Sequence, residues 1–420
     1  KFTLALFESS QSESKKKILD NILIEKFYNF QNLFGLLNDI DRENLLLKFE
    51  SKINSINYQY LELEKIDDIE LILNNSIKIK GLSLISQIQI ANYLKKQSNP
   101  KFKIYQSLSK EYGELQNSIS FDKRVRLEKV RSQLFNLHQE LNVSKILTNG
   151  LKLNTSWEDI RSKLTDEDLA VDIIRVPNQS NSVVIYYGIL FSSSSTKPKL
   201  VKLFNESELE KVLNCPGTTK ERIKCVLDTK SKKLYDLIFE PISTYIADKK
   251  VVYISKTGIL HSLPLGSITI DNTWSLKNLS SLKSLLSDSI NFKTDGVDLF
   301  GGANFTGFNK AQRNFSNQVS LEVQERFQNG EMENLEHSKT EVLEIKKLYD
   351  SLGAKNNLSI NFDANESFFR KLSGEKNDVI HVATHGFSEG LSYSVNSTFN
   401  LNNNAMSELM RSGIILSPNS

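Results

Sequence analysis

The sequence predicts an α/β domain preceded by an all-helical module, and three observations carry that prediction. Over roughly the first 150 residues, apolar side chains recur at spacings of three and four, the stripe of an amphipathic helix. Near Lys152 the texture changes to short β-branched and aromatic runs bounded by turn residues. Beyond Lys250, compact apolar runs alternate with helical stretches, an order that gives a sheet with helices on both faces.

The helical module is expected over residues 1–150. Leu19, Leu23, Phe27, Phe30, Phe34 and Leu37 form one stripe, and Ile85, Ile88, Ile90 and Leu94 lie in a second Pro-free stretch. Leu127, Val130, Leu134, Leu137 and Leu141 alternate three and four, a short heptad-like seam. Asn99-Pro100 marks a break between helices. These stripes read as helix-on-helix core. The other reading, the end of a helical repeat array, finds no tetratricopeptide signature in the chain.

Thr155-Ser156-Trp157-Glu158-Asp159 is an N-cap with acids in the first turn, and predicts a helix running through Leu164. Strands are expected at Val171–Val176, Ser182–Phe191 and Leu200–Phe204, the last two as a hairpin around the solvated Ser192–Thr196 turn. Glu221–Ala247 reads as mostly helical, Val251–Ser255 as a buried strand and Leu276–Leu286 as helix. Val297–Gly302 is a strand ending in glycines, and residues 306–338 a long polar loop. A helix over Thr340–Leu352 closed by Gly353, a strand over Leu358–Phe362, a helix over Asn365–Leu372 and a strand over Asp378–Thr384 complete the series.

Composition excludes several function classes. The chain has 420 residues, enough for two or three domains, with 39% hydrophobic and 25% charged residues. A net charge of +3 argues against a dedicated nucleic-acid binder. No apolar run approaches the ~20 residues of a membrane helix. The two cysteines, Cys215 and Cys225, are too few for a disulfide framework or a cysteine-based zinc site, and both read as structural. The chain opens at Lys1-Phe2 and stops just after a predicted strand, so an excised segment of a longer protein is expected, its leader or anchor out of view.

The run that carries chemistry is Asp378-Val-Ile-His-Val-Ala-Thr-His385-Gly386-Phe387. An apolar strand delivers a His-Gly pair at its carboxyl end, where open α/β sheets gather ligands and catalytic groups. An imidazole there can take and return a proton near neutral pH, and the glycine N–H can help stabilise an oxyanion. A satisfied structural histidine at a strand end is the competing reading. His381 and His385 are not a metal pair: on a strand their Cα atoms lie about 13 Å apart, and no HExxH glutamate is present. No metal or other cofactor is expected.

His381-Val-Ala-Thr-His385-Gly386 resembles the histidine motif of the CHAT family, caspase-like cysteine peptidases of the clan of caspases and separases, often linked to tetratricopeptide repeats. Further segments follow in the family order across about 155–420. Val251–Ser267 resembles the family's strand, turn and Leu-x-x-Leu-Pro-Phe segment, with Leu265 at the Phe position. Leu299–Asn304 resembles its Gly-rich strand end, and Leu335–Glu341 its turn into the next helix. Phe362–Glu366 resembles its short helix start and Ser412–Leu416 its Ser-Gly-x-x-Leu strand. The resemblance implies a caspase-like three-layer α/β/α sandwich over residues 151–420, lacking its C-terminal strands.

It also implies a Cys-His dyad, with His385 as general base and then acid and the Gly386 N–H as half of the oxyanion hole. The nucleophile is where the chain departs from the pattern. In the family it lies downstream of the Ser-Gly strand, and no Cys follows His385 here. Three readings follow: the Cys was cut off from an active protease, it belongs to another polypeptide, or the parent is a pseudoprotease; the first is the expectation. The catalytically inactive alternative is a scaffold or sensor.

Other motifs carry less. No Gly-x-Ser-x-Gly elbow is present, and Gly302–Gly307 has P-loop spacing but is followed by Phe308-Asn309. Asp159, Asp166, Glu167 and Asp168 could line a specificity pocket, though a solvated helix face or loop is the plainer reading. The expected partners are a protein substrate and an activator or regulatory protein at the helical module, with no nucleic acid and membrane association left open. Thiol chemistry suits a reducing cytoplasm. A bacterial source and a role in antiphage defence or programmed cell death are implied by the resemblance alone.

Overall fold

The computed structural model describes residues 12–35, 37, 39–62, 69–96, 100–116, 121–141, 147, 155–178, 180, 182–217, 219–268, 273–286, 296–305, 334–372, 379–388 and 412–417. These fall into two compact units. The first comprises the described residues of 1–106 and 132–288, the second those of 107–131, 289–391 and 406–420. A helical N-terminal region is followed by an α/β region with parallel and antiparallel strands. Asn99 lies outside the described residues, as do 306–333 of the expected polar loop and the side chain of Leu94.

Among the described residues six helices come first: α1 (Ser12–Phe34), α2 (Asp39–Glu62), α3 (Ile69–Ile79), α4 (Leu82–Lys96), α5 (Lys101–Gln116) and α6 (Phe121–Glu140). They bury much of the apolar stripes, although Ile88 of α4 is 49% exposed. Leu19, Leu23, Phe30 and Phe34 of α1 are sequestered, and the Phe30 ring stacks on Phe49 of α2 at 4.3 Å between centroids. The Tyr60 hydroxyl donates to Asp20 Oδ1 at 2.6 Å, a polar tie between the same two helices. In α6, Val130, Leu134 and Leu137 are buried, and Leu141 just beyond its end is buried too.

The first unit also holds a five-stranded sheet of order β3-β2-β1-β4-β5, built from β1 (Asp168–Pro177), β2 (Val184–Phe191), β3 (Lys199–Asn205), β4 (Val251–Ser255) and β5 (Ser275–Leu279). β2 and β3 form the expected hairpin; β1 pairs antiparallel with β2 and parallel with β4. Helices α8 (Glu206–Leu213), α9 (Thr219–Lys224), α10 (Ser231–Ile238) and α11 (Ser243–Ile246) belong to the same unit. Its core contains Leu169, Val171, Ile173, Val252 and Ile254 from the sheet, with Leu234 and Ile238 from α10. A buried polar network sits at one end. Arg175 makes a fork of 2.6 and 2.8 Å to Glu206, which also accepts from the Tyr186 hydroxyl at 2.7 Å. Burial and the facing Glu206 carboxylate push the Tyr186 phenol up.

Two expectations change here. The short helix α7 (Trp157–Arg161) has the expected Ser156 cap, with Asp159 accepting the Ser156 N–H at 2.8 Å, but it stops at Arg161 rather than Leu164. Residues 276–286 are not helix: β5 occupies Ser275–Leu279 and a 3₁₀ turn Leu282–Leu286. β4 offers a free parallel edge, and pairing with it outweighs local helix propensity. Cys215 and Cys225 form one disulfide across 6.2 Å between Cα atoms. The Asn214-Cys-Pro-Gly turn, with Gly217 at φ 106°, brings Cys215 back to the π-turn that begins at Cys225. Among the described residues no helix is long and apolar enough to cross a membrane.

Lys283 gives the first unit a pH signature. Its side chain is buried and donates to the Lys78 carbonyl near the end of α3 at 3.1 Å. Burial lowers its pKa to about 8. Between about pH 8 and 10.5 the unfolded chain holds this proton and the folded chain has lost it. Stability should therefore rise with pH across that window, by up to about 3 kcal/mol. Urea unfolding at pH 7.5 and 10.5 checks this: Lys283→Met should flatten that share of the rise.

The second unit contains a parallel three-stranded sheet of order β7-β6-β8, from β6 (Gly296–Ala303), β7 (Lys355–Asn361) and β8 (Val379–Ala383). β6 runs through the middle and alternates its side chains between two cores. Val297 and Leu299 face α12 (Glu336–Ser351) and meet Val342, Ile345 and Tyr349. Phe300 and Ala303 face the other way and meet Phe369 and Leu372, on and just beyond α13 (Glu366–Lys371). One helix per face is what right-handed crossovers to opposite sides of β6 require. A two-stranded antiparallel ribbon of β9 (His385–Ser388) and β10 (Ser412–Ile415) completes the unit. The helix predicted from Thr340 starts at Glu336, with Gly353 past its end at φ 64° as expected.

Candidate active site

The candidate site lies in the second unit, at the carboxyl edge of the parallel sheet. Register aligns Gly301 of β6 with Ala383 of β8 and Ile360 of β7, and Ala303 with Asn361. The chain therefore leaves all three strands at one level. It does so as Asn304-Phe305, Phe362-Asp363 and Thr384-His385-Gly386.

His385 follows β8 after a single residue and opens β9. It is half-buried, and its ring lies 5.1 Å from that of Phe305 with 54° between the planes. Gly386 is exposed and sits opposite Ile414 on β10, while His385 sits opposite Ile415. The Thr384 hydroxyl donates to the Ile415 carbonyl, which ties the approach to the histidine to β10. The imidazole is thus braced on one side by an aromatic ring and held by a ribbon, with solvent beyond Gly386.

Ser417 ties the edge together. Its hydroxyl accepts the Asn304 N–H at 2.8 Å and donates to the Asn361 carbonyl at 2.6 Å, and its own N–H donates to the Ala364 carbonyl at 2.8 Å. One 3% exposed side chain thereby joins the ends of β6, β7 and β10. Phe305 is fixed by its N–H, which donates to Asn334 Oδ1 at 2.9 Å just ahead of α12. Ser417→Ala should cost about 1–3 kcal/mol, because it strips partners from buried backbone groups. Urea unfolding measures the loss, and amide exchange at residues 384–386 should quicken with it.

His381 has a different task. It is on β8 four residues before His385, and its Nε2 pairs with Glu341 of α12 at 2.9 Å. It therefore belongs to the α12 face, in line with Val379 and Ala383. Gly302, the first residue of the P-loop look-alike, has φ 58° and donates its N–H to Ser338 Oγ in the first turn of α12 at 3.0 Å. Its neighbour Gly301 has no room for a Cβ, which would stand 2.5 Å from the Ser338 carbonyl oxygen. These two glycines serve close helix–strand packing; Gly307 lies outside the described residues.

The four acids singled out in the sequence lie in the first unit, each engaged locally. Asp159 caps α7, Asp166 accepts from Ser193 Oγ at 2.6 Å, and Glu167 pairs with Lys250. Asp168 is buried and accepts from the Thr165 N–H and hydroxyl, both at 2.7 Å, so it is a turn residue rather than a solvated one. Neither cysteine is free, since both are spent in the disulfide. Among the described residues no cluster of His, Cys, Asp and Glu could hold a metal ion. Phe305 and Ser417 were not foreseen. The only sequence signal for Phe305 was its place directly after the Gly-rich strand end, and Ser417 carried none.

No curated protein matches this sequence. Residues 228–420, which contain β4 through β10 and His385, match the family model described as CHAT domain. That span of the chain is therefore a CHAT domain, the domain of a caspase-like family.

Proposed function

We propose that the protein is a regulated cysteine endopeptidase in which His385 is the general base and acid. The observation that carries this reading is the position of His385-Gly386 at the carboxyl edge of a parallel sheet within the CHAT span. His385 would take the proton of a cysteine thiol, and the thiolate would attack the scissile carbonyl carbon, forming a C–S bond. The Gly386 N–H would face the resulting oxyanion. Collapse of that intermediate breaks the C–N bond, and the imidazolium returns its proton to the leaving amine. Water, deprotonated by His385, then hydrolyses the thioester.

On this reading the nucleophile is neither Cys215 nor Cys225, which are paired with each other, and would be supplied from outside these 420 residues. Residues 1–150 act as the regulatory module that receives an activator, and residues 151–420 as the peptidase domain; the substrate is a protein. The same cysteine pairing favours a second reading, in which the domain is a non-catalytic scaffold or sensor.

A thiol-reactive acylating probe and a broad peptide library, applied to the full-length protein with candidate activators, decide between them. Turnover and labelling that both require His385 support the peptidase. Activity indifferent to His385→Ala removes the dyad, and silence under every activator favours the scaffold.

A further inference from the structure

We propose that the carboxyl end of β4, beside the middle of β1, is a binding cage for a basic side chain of another molecule, filled in this structure by the chain's own Lys80. Asp172 and Ser255 are register partners on these parallel strands, so their side chains share a face. Lys80 sits in the turn between α3 and α4, next to Gly81 at φ 72°. Its ammonium donates to Asp172 Oδ1 at 2.8 Å, to the Ile173 carbonyl at 2.7 Å and to the Ser255 carbonyl at 3.3 Å. That uses all three of its donors.

The cage holds more acceptors than an ammonium can use. Asp172 Oδ2 and Ser255 Oγ are buried and have no hydrogen-bond partner, although both residues are 0% exposed. Buried polar atoms are paired as a rule, so two idle acceptors on register partners call for an occupant. A guanidinium presents five donors in a planar fork and could span both carboxylate oxygens while reaching the serine. The way in follows the Lys80 stem, whose side chain keeps 12% exposure beside a carboxylate at 1%.

The surrounding charges leave room for such a guest. The Lys256 ammonium is turned to the Leu263 carbonyl at 3.1 Å. Burial, with Lys80 and Lys256 nearby, lowers the His261 pKa to about 4, so that ring is neutral at pH 7. Lys80 competes at the high effective concentration of a tethered group. Exchange with an outside basic side chain would withdraw Lys80 and free the α3–α4 turn from the sheet. None of this depends on the peptidase reading, because every residue of the cage lies in the first unit.

The test empties the cage and refills it. The full-length Lys80→Ala variant should melt below the wild type. Methylguanidinium and propylammonium, at concentrations that leave the wild type unchanged, should each recover at least half of that loss. Propanol should not, and Asp172→Asn in the same background should abolish the recovery. No recovery by either cation, equal recovery by propanol, or recovery that survives Asp172→Asn overturns the proposal. Should Lys80→Ala fail to fold, Lys80→Arg and Lys80→Met decide it. Arginine melting at or above the wild type with methionine below supports the cage; arginine as low as methionine sinks it.

Discussion

Replacing His385 by alanine is expected to lower kcat/KM for peptide hydrolysis by about 10²–10⁴-fold, the usual worth of a positioned general acid–base. Labelling by an acylating thiol probe should fall with it, because the thiol loses the base that deprotonates it. Fold stability should change little. His385 is only half-buried, and its alanine variant keeps the β9–β10 pairing of residue 385 with Ile415, a backbone interaction. His381→Ala is the control. That ring pairs with Glu341 on the α12 face, so the variant should keep its activity. If both variants lose activity together, the effect is on the second unit's integrity and not on proton transfer. If neither does, the dyad assignment falls.

Phe300→Ala is expected to destabilise the second unit by about 3–5 kcal/mol, the range for truncating a fully buried aromatic. Phe300 is 2% exposed in the middle strand of the parallel sheet, and its ring meets Phe369 edge-on at 5.6 Å. Ala303, Phe305, Ala364 and Ile415 complete the same cluster. The cavity would open between the sheet and α13 and beneath the residues that brace His385. The urea midpoint should drop with the slope of the transition unchanged. Leu348→Ala, at a side chain 57% exposed on α12, should leave the midpoint in place. Activity of Phe300→Ala should fall even where the protein remains folded, because Phe305 and Ile415 lose a shared neighbour. Full activity in a folded variant would show that the Phe305 brace is dispensable.

Local sequence patterning determined much of this protein. Spacings of three and four announced α1 and α6, because a helix repeats every 3.6 residues and its buried face must be apolar. Ser156 and Asn365 marked helix starts, since unpaired N–H groups at a helix end attract short polar side chains. The apolar run into His385-Gly386 announces a strand delivering a reactive pair to a sheet edge, and the motifs around it resemble those of the CHAT family.

Tertiary structure alone decided the rest, because it depends on partners distant in the chain. Residues 276–279 became strand only because β4 offered an edge to pair with. Cys215 and Cys225 became a disulfide only because a turn and a π-bulged helix brought them together. Asp172 reads as one acid in a β run, yet it anchors Lys80 across 92 positions of sequence. Ser417, a serine after an apolar strand, ties together three strand ends that lie up to 113 residues away. Periodicity reports which face of an element is buried; it carries no information about what that face meets. Such pairings follow from topology and register, which the whole chain settles at once.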